Sequence, residues 1–403
     1  MHGTMPRRLP PAGVPLGGRV LLTALSKAVA ANGTHERALR ALESRLAVPH
    51  VSAVNTGRTA LWVALRALHR LRPERNVVAI PAYTCFSVPA AVTRAGLQMH
   101  PVDIQPETLD FDYAHLESLP EKNLLCVVAG NLLGLVSDVP RIRQIAAAKG
   151  AFVVDDAAQA MGATLQGKPA GTMGDVGLYS LGRGKALPAV EGGILVTRDA
   201  TIAEAIQAEL AQLPPASWAH TAAVAAQMLA GALLLHPGLY WLPDSLPFLK
   251  LGVTEYQPDF PRARLCSISA ALLAEMQPEL ERLNQIRRTN AQALCAALEG
   301  SSSFQLPQPL PGSEPVYLRL PVLAASEEIR RAALARLQAA GLGASGYYPS
   351  AVCDIPAAQM HWSVTQCHCP AAESLARRLI TLPTHPLVTV RDREAMIRIL
   401  REF

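Results

Sequence analysis

Short apolar runs alternate with longer stretches of helical period through the first half of the chain. Val51 to Asn55, Val77 to Ile80, Leu97 to Val102, Leu124 to Ala129 and Ala151 to Val154 are each a few residues long. Each ends in a polar residue, a Gly or a Pro. Between them, residues 36–48, 59–71, 86–95 and 138–148 space their apolar positions as amphipathic helices do. Brief buried strands alternating with helices predict an α/β fold with a mostly parallel sheet covered on both faces. In such a sheet ligands sit outside the carboxyl ends of the strands, so the polar residues there are the first candidates for chemistry.

The pattern changes after residue 175. Val176–Ser180 and Ile194–Thr197 read as strands flanking a Gly-rich loop, and a Pro-rich connection follows at 236–261. Residues 265–299 read as one long helix. A strand at Val316–Leu320 and helices at 326–339, 370–379 and 391–401 then predict a smaller C-terminal α+β domain. The expected division is residues 14–264 for the large domain and 265–403 for the connecting helix and small domain.

Composition narrows the class. The chain has 403 residues, half of them hydrophobic, enough for a large core. Its 37 basic and 32 acidic residues are interspersed, which argues against a nucleic-acid surface. The seven cysteines form no secreted framework and read as reduced thiols of a cytoplasmic protein. The opening residues contain no apolar signal core. Thr221 to Leu242 is apolar and free of formal charge, but Gln227 and His236-Pro237-Gly238 interrupt it. A buried or interface helix is expected there, with peripheral membrane contact as the alternative.

Three local features carry candidate chemistry. Asp155 and Asp156 end a buried strand, where an unpaired carboxylate is costly and seeks a cation. A helix N-cap explains the same pattern. Ser180 through Lys185 is a Gly-rich loop in which Ser180, Arg183 and Lys185 could meet a phosphate. Lys185, if desolvated, could instead condense with an aldehyde; a solvated surface lysine is the plain alternative. Thr56-Gly57-Arg58-Thr59 opens a helix directly after a strand, which makes either an anion site or an ordinary turn.

In this order and spacing the segments resemble the DegT/DnrJ/EryC1/StrS family of PLP-dependent aminotransferases, from about residue 35 to the C-terminus. The matching segments are Thr56 to Leu61, Ile80 to Thr84, Pro101 to Ile104, Asp155 to Ala160, Ser180 to Lys185 and Glu191 to Gly193. Cys369 to Glu373 and Leu382 to Pro386 resemble the family's closing signature. The resemblance implies the aspartate-aminotransferase fold (fold type I) and pyridoxal 5′-phosphate (PLP) as cofactor. It gives Lys185 the Schiff base and the proton shuttle, and Asp156 the pairing with the pyridine nitrogen, which keeps the ring an electron acceptor. Gln159 is then placed beside the ring. Gly57, Arg58, Thr59 and Ser180 are placed around the phosphate, and Asp155 is structural.

The resemblance also implies a homodimer with shared sites. The implied reaction moves an amino group from a donor such as glutamate to a carbonyl acceptor, a nucleotide-linked keto-sugar. Lys185 sets the chain apart from the family's dehydratase branch, which has His there. Three departures bear on the acceptor. Cys85 stands where many relatives stack an aromatic residue on the ring, Asn131 where many have His, and Arg262 where relatives supply an Asn to the neighbouring subunit's phosphate. Arg262 is retained as a candidate phosphate ligand. A PLP enzyme for a non-sugar carbonyl and a PLP-binding regulator without turnover are the alternatives. Cys353, His361, Cys367, His368 and Cys369 lie close in sequence, but their spacing fits a zinc site poorly and no metal is expected.

Overall fold

The computed structural model describes residues 7–30, 33–246, 252, 254–364 and 366–403. Its centre is a seven-stranded sheet: β1 His50–Val54, β2 Val77–Pro81, β3 Gln98–Val102, β4 Leu124–Gly130, β5 Phe152–Asp156, β6 Val176–Ser180 and β7 Gly193–Thr197. The strands lie in the order β1-β7-β6-β5-β4-β2-β3. β7 runs antiparallel to both neighbours, and the pairs β6–β5, β5–β4, β4–β2 and β2–β3 are parallel. Six strands therefore deliver their carboxyl ends to one edge.

Successive residues of a strand point to opposite faces. Val153 and Val127 enter the core that holds Leu42, Ile142 and Leu272, while Val154 and Val128 enter the core that holds Leu61, Leu65 and Ile202. Burial on both faces explains why these strands are continuous apolar runs rather than alternating ones.

The predicted helices recur within a residue or two at Thr34–Leu46, Gly57–Leu71, Ser87–Arg94 and Val139–Ala148. The expected single helix at 265–299 is two, Ser267–Met276 and Leu280–Leu298, joined through a 3₁₀ turn containing Pro278. Proline lacks the N–H that an unbroken helix would need at that point. The first of the two packs in the large-sheet core; the second contributes Ala291, Leu294 and Leu298 to a separate cluster. That cluster covers a three-stranded antiparallel sheet of Phe304–Gln305, Arg319–Ala324 and Leu379–Pro383.

The strand expected at Val316–Leu320 begins at Arg319 instead. Tyr317 has φ 46°, outside the β region, and Val316 N–H donates to Gly134 O at 3.0 Å. That stretch packs against the Leu132–Gly134 turn, a contact no local pattern announces.

The uncharged segment forms a helix at Trp218–Leu234. Val224 and Met228 are buried, while Trp218, Leu229 and Leu233 are exposed, so within one protomer it is not a core helix. Among the described residues, no helix is long and apolar enough to cross a membrane.

The N-terminal segment is tied to the C-terminal half. Leu9 N–H donates to Gly341 O at 2.8 Å, and His385 Nε2 lies 2.9 Å from Pro10 O. His385 is buried, and burial first of all pulls its pKa from 6.5 down to about 4, with Arg287 and Arg319 adding to the fall. The unfolded chain gains this proton below about pH 6.5 and the native chain only near 4. Native stability is thus full above pH 6.5 and falls between there and pH 4, by about 3 kcal/mol from this group. His385→Gln should flatten that part of a urea-denaturation series. An unchanged slope would show that His385 does not set it.

Candidate active site

A cavity of about 380 Å³ opens at the carboxyl ends of the strands. Gly57 and Arg58 follow β1, Tyr83 and Cys85 follow β2, and Asn131 follows β4. Asp156 and Ser180 end β5 and β6, and Lys185 comes from the loop after β6. Strand register puts these residues together: Gly130 is opposite Asp156, which is opposite Leu178, and Ser180 is opposite Gly193.

The turn after β1 is shaped for close approach. Thr56 caps the following helix, accepting from Thr59 N–H at 3.1 Å. A Cβ on Gly57 would stand 2.8 Å from Ser180 Cβ and 3.0 Å from Ser180 Oγ. Glycine thus leaves room between the helix N-terminus and the Ser180 hydroxyl, where backbone N–H groups and the helix dipole favour an anion such as a phosphate. Arg58 lines the same cavity, and its guanidinium lies 5.1 Å from the centre of the Phe260 ring. Thr59 does not line the cavity; its hydroxyl is 2.9 Å from Thr56 Oγ1 and serves the cap.

The two aspartates divide their work. Asp155 is fully buried and accepts from Asn131 Nδ2 at 2.8 Å, Gly171 N–H at 2.8 Å and Met173 N–H at 3.1 Å. It fixes the Asn131 amide and the 171–173 turn. Burial, opposed by these bonds, pushes its pKa up to about 6. Asp156 lines the cavity and, among the described residues, its carboxylate accepts one hydrogen bond, from Ala158 N–H at 2.9 Å. Burial pushes its carboxyl upward, while the Ala158 N–H and Lys185 pull it down. No helix begins after Asp156, so the cap reading fails: its carboxylate holds the following turn through Ala158 N–H and lines the cavity, where the cation-seeking reading still applies.

The loop bearing Lys185 is secured from below. Lys185 N–H donates to Gly182 O at 3.1 Å, and Gly184 takes φ 78°. The fully buried Arg287 reaches Ala186 O at 3.2 Å and Asn284 Oδ1 at 2.8 Å. Burial lowers the Lys185 amine below its usual value, Cys85 and Asp156 oppose this, and Arg319 adds to it. A less basic amine is the state a nucleophilic lysine requires. Arg183 is exposed and is not among the residues that line this cavity.

Gln159 is held from three sides. Its Oε1 accepts from Leu133 N–H at 2.9 Å and Tyr347 Oη at 2.5 Å, and its Nε2 donates to Tyr348 Oη at 2.8 Å. Cys85 lines the cavity and accepts from Ser87 Oγ at 3.0 Å. Tyr83, two residues before it on an extended segment, lines the cavity as well, so the aromatic contribution from this segment comes from i−2. Arg262 lies outside the cavity, 4.3 Å from the centre of the Trp62 ring.

Sequence reasoning missed Tyr347, Tyr348 and Arg319. Arg319 is bonded to Ser345 Oγ and Thr381 Oγ1, and its charge reaches Lys185. All three come from the C-terminal half and reach the site only by tertiary packing. The Tyr347-Tyr348 pair was the one signal that could have flagged them.

Also unforeseen, Cys353 and Cys367 form a disulfide, so these two are not the reduced thiols expected. Cys369 lies beside them: the three sulfurs are within 4.8 Å of one another, although sequence spacing argued against any metal cluster.

A glycine cradle for an anion, a buried carboxylate awaiting a cation and a desolvated lysine in one cavity fit pyridoxal 5′-phosphate. Fold and site together define a PLP enzyme of fold type I. The DegT/DnrJ/EryC1/StrS aminotransferase family profile matches residues 20–225 and 261–401, and the chain belongs to that family of PLP-dependent aminotransferases. It is 29% identical over 355 residues to the UDP-N-acetyl-3-dehydro-alpha-D-glucosamine 3-aminotransferase of Acidithiobacillus ferrooxidans, covering 86% of this chain and 83% of that one. It is 26% identical over 358 residues to a pleiotropic regulatory protein of Geobacillus stearothermophilus, covering 88% and 85%. PseC of Helicobacter pylori, an aminotransferase involved in pseudoaminic acid biosynthesis, superposes with a TM-score of 0.80 at 16% identity over 98% of each chain, a likeness of fold.

Proposed function

We propose that the chain moves an amino group from glutamate to the carbonyl of a nucleotide-linked keto-sugar. The observation that carries this is the meeting of Lys185, Asp156 and the Gly57–Ser180 cradle in one cavity. The bound cofactor supplies an aldehyde that takes up the amino group and a ring that accepts electrons. Gly57, Arg58 and Ser180 hold its phosphate, Asp156 holds the proton on its ring nitrogen, and Gln159 lies beside the ring. Lys185 anchors it and moves a proton at the substrate's amine-bearing carbon.

The residues divide into a PLP-binding unit, 14–264, and a C-terminal unit, 265–403, that supplies Tyr347 and Tyr348. Two copies assemble with shared sites, and Arg262, outside its own cavity, serves the partner's phosphate. A nucleotide-linked acceptor places the work in the cytoplasm. Sedimentation should give a dimer; a monomer that turns over fully would refute shared sites.

The test is a pair of half-reactions. Glutamate should convert the bound cofactor to its amine form, seen as loss of the visible band. Nucleotide-linked keto-sugars should restore the band, and simple keto acids other than 2-oxoglutarate should not. Restoration by a non-sugar carbonyl alone would overturn the acceptor assignment. The similarity to a pleiotropic regulatory protein favours a second reading, a PLP-binding regulator without turnover. Glutamate would then leave the spectrum unchanged.

A further inference from the structure

We propose that Cys353, Cys367 and Cys369, once the Cys353–Cys367 disulfide is opened, form a three-thiolate site for a soft divalent cation, zinc. The three sulfurs lie within 4.8 Å of one another. Zinc–thiolate bonds of about 2.3 Å in tetrahedral geometry place two sulfurs about 3.8 Å apart. Cys367 Sγ and Cys369 Sγ are 3.8 Å apart. The Cα atoms of Cys353 and Cys367 are 5.6 Å apart, so these two side chains already converge on one point.

The outer two ligands stand on fixed ground. Cys353 lies in the turn Val352–Asp354, whose Val352 N–H donates to Ala82 O at 2.7 Å. Cys369 precedes the helix Pro370–Arg378, whose Ala371 and Ala372 N–H groups donate to Asp103 at 3.0 and 2.8 Å. Ala82 and Asp103 follow β2 and β3, so both ligands are referenced to the same sheet edge. Cys353 and Cys369 are buried in one apolar cluster with Tyr83 and Tyr348, where a thiolate without a cation is costly. The Asp103 carboxylate, bonded to the Ala371 and Ala372 N–H groups, stands beside Cys369, and negative charge there favours a cation. Among the described residues His361 and His368 are outside the cluster, so the three sulfurs are the ligands it offers.

The chemistry balances. A dithiol reductant gives two electrons and two protons to the Cys353–Cys367 bond and becomes a disulfide, leaving two thiols. Zinc then forms three bonds to sulfur, and three thiol protons pass to solvent. Disulfides are rare in reducing compartments, so the opened dithiol that the site requires is the state expected in the proposed cytoplasmic setting. In that respect alone the inference rests on the proposed function, and the test supplies its own reductant.

The holoprotein is reduced with dithiothreitol, freed of it without oxygen, and titrated with cobalt(II). A thiolate-to-cobalt charge-transfer band should saturate at one ion per chain, in difference spectra against the same holoprotein, and zinc should abolish it. Cys367→Ser and Cys369→Ser should each lose the band, and Cys295→Ser should keep it. Absence of the band in the reduced protein, or its survival in Cys369→Ser, overturns the proposal. A second measurement needs no variant. Zinc should slow alkylation of Cys353, Cys367 and Cys369 by iodoacetamide at least tenfold, read by peptide mass spectrometry. Equal rates with and without zinc overturn the proposal too. The cofactor's own absorbance, recorded throughout, reports separately on PLP binding.

Discussion

Lys185→Ala should lower the rate of amino transfer by about 10³-fold or more, within the range lost when a positioned proton-transfer group is removed. Lys185 is the amine that lines the cavity beside Asp156, and burial lowers its basicity. Alanine leaves water to move the proton, without the fixed geometry that the loop anchored by Arg287 provides. The Gly57–Ser180 cradle and Asp156 remain, so the cofactor should still bind without a covalent link. Borohydride reduction followed by peptide mass spectrometry should place a phosphopyridoxyl group on Lys185 in the parent protein and nowhere in the variant. A labelled peptide elsewhere, or a variant within tenfold of the parent rate, would refute the assignment.

Asp156→Asn should weaken cofactor binding by about 10²–10⁴-fold, because removing one partner of a buried ion pair costs about 3–5 kcal/mol. The substitution is nearly isosteric, and an amide oxygen can still accept from Ala158 N–H, now at 2.9 Å from the carboxylate. Melting of the cofactor-free form should therefore change little. Equilibrium dialysis gives the affinity, and the glutamate half-reaction gives the rate. An asparagine variant with parental affinity and rate would show that Asp156 only holds the turn after its strand. Asp155→Asn is the natural comparison: that carboxylate meets three donors inside the protein and does not itself line the cavity.

Much of the large sheet was legible because its strands are short apolar runs closed by polar residues, and both faces are buried. The same feature hid strand direction: β7 reads like its neighbours yet runs against both. Asp156, Ser180, Gly57 and Lys185 stood out because each sits at a strand end or in the loop beyond. Thr59 was assigned to the phosphate by the family resemblance, and its hydroxyl lies against Thr56 Oγ1 instead. The strand Leu379–Pro383 was not read, only its last two residues falling within a signature, because a buried five-residue run ending in proline has no period of its own.

The order and spacing of small, acidic and lysine residues along the chain carried the family resemblance and through it the cofactor, because residue type and strand-end position are local properties; burial of the amine and the carboxylate came with packing. Tertiary structure alone decided what surrounds that chemistry. Tyr347, Tyr348 and Arg319 reach the site from more than a hundred residues beyond Lys185, and three cysteines spread over seventeen positions meet within 4.8 Å. Local patterns record the periodicity of one element; contacts between distant elements depend on how their buried faces pack, which no window of sequence contains.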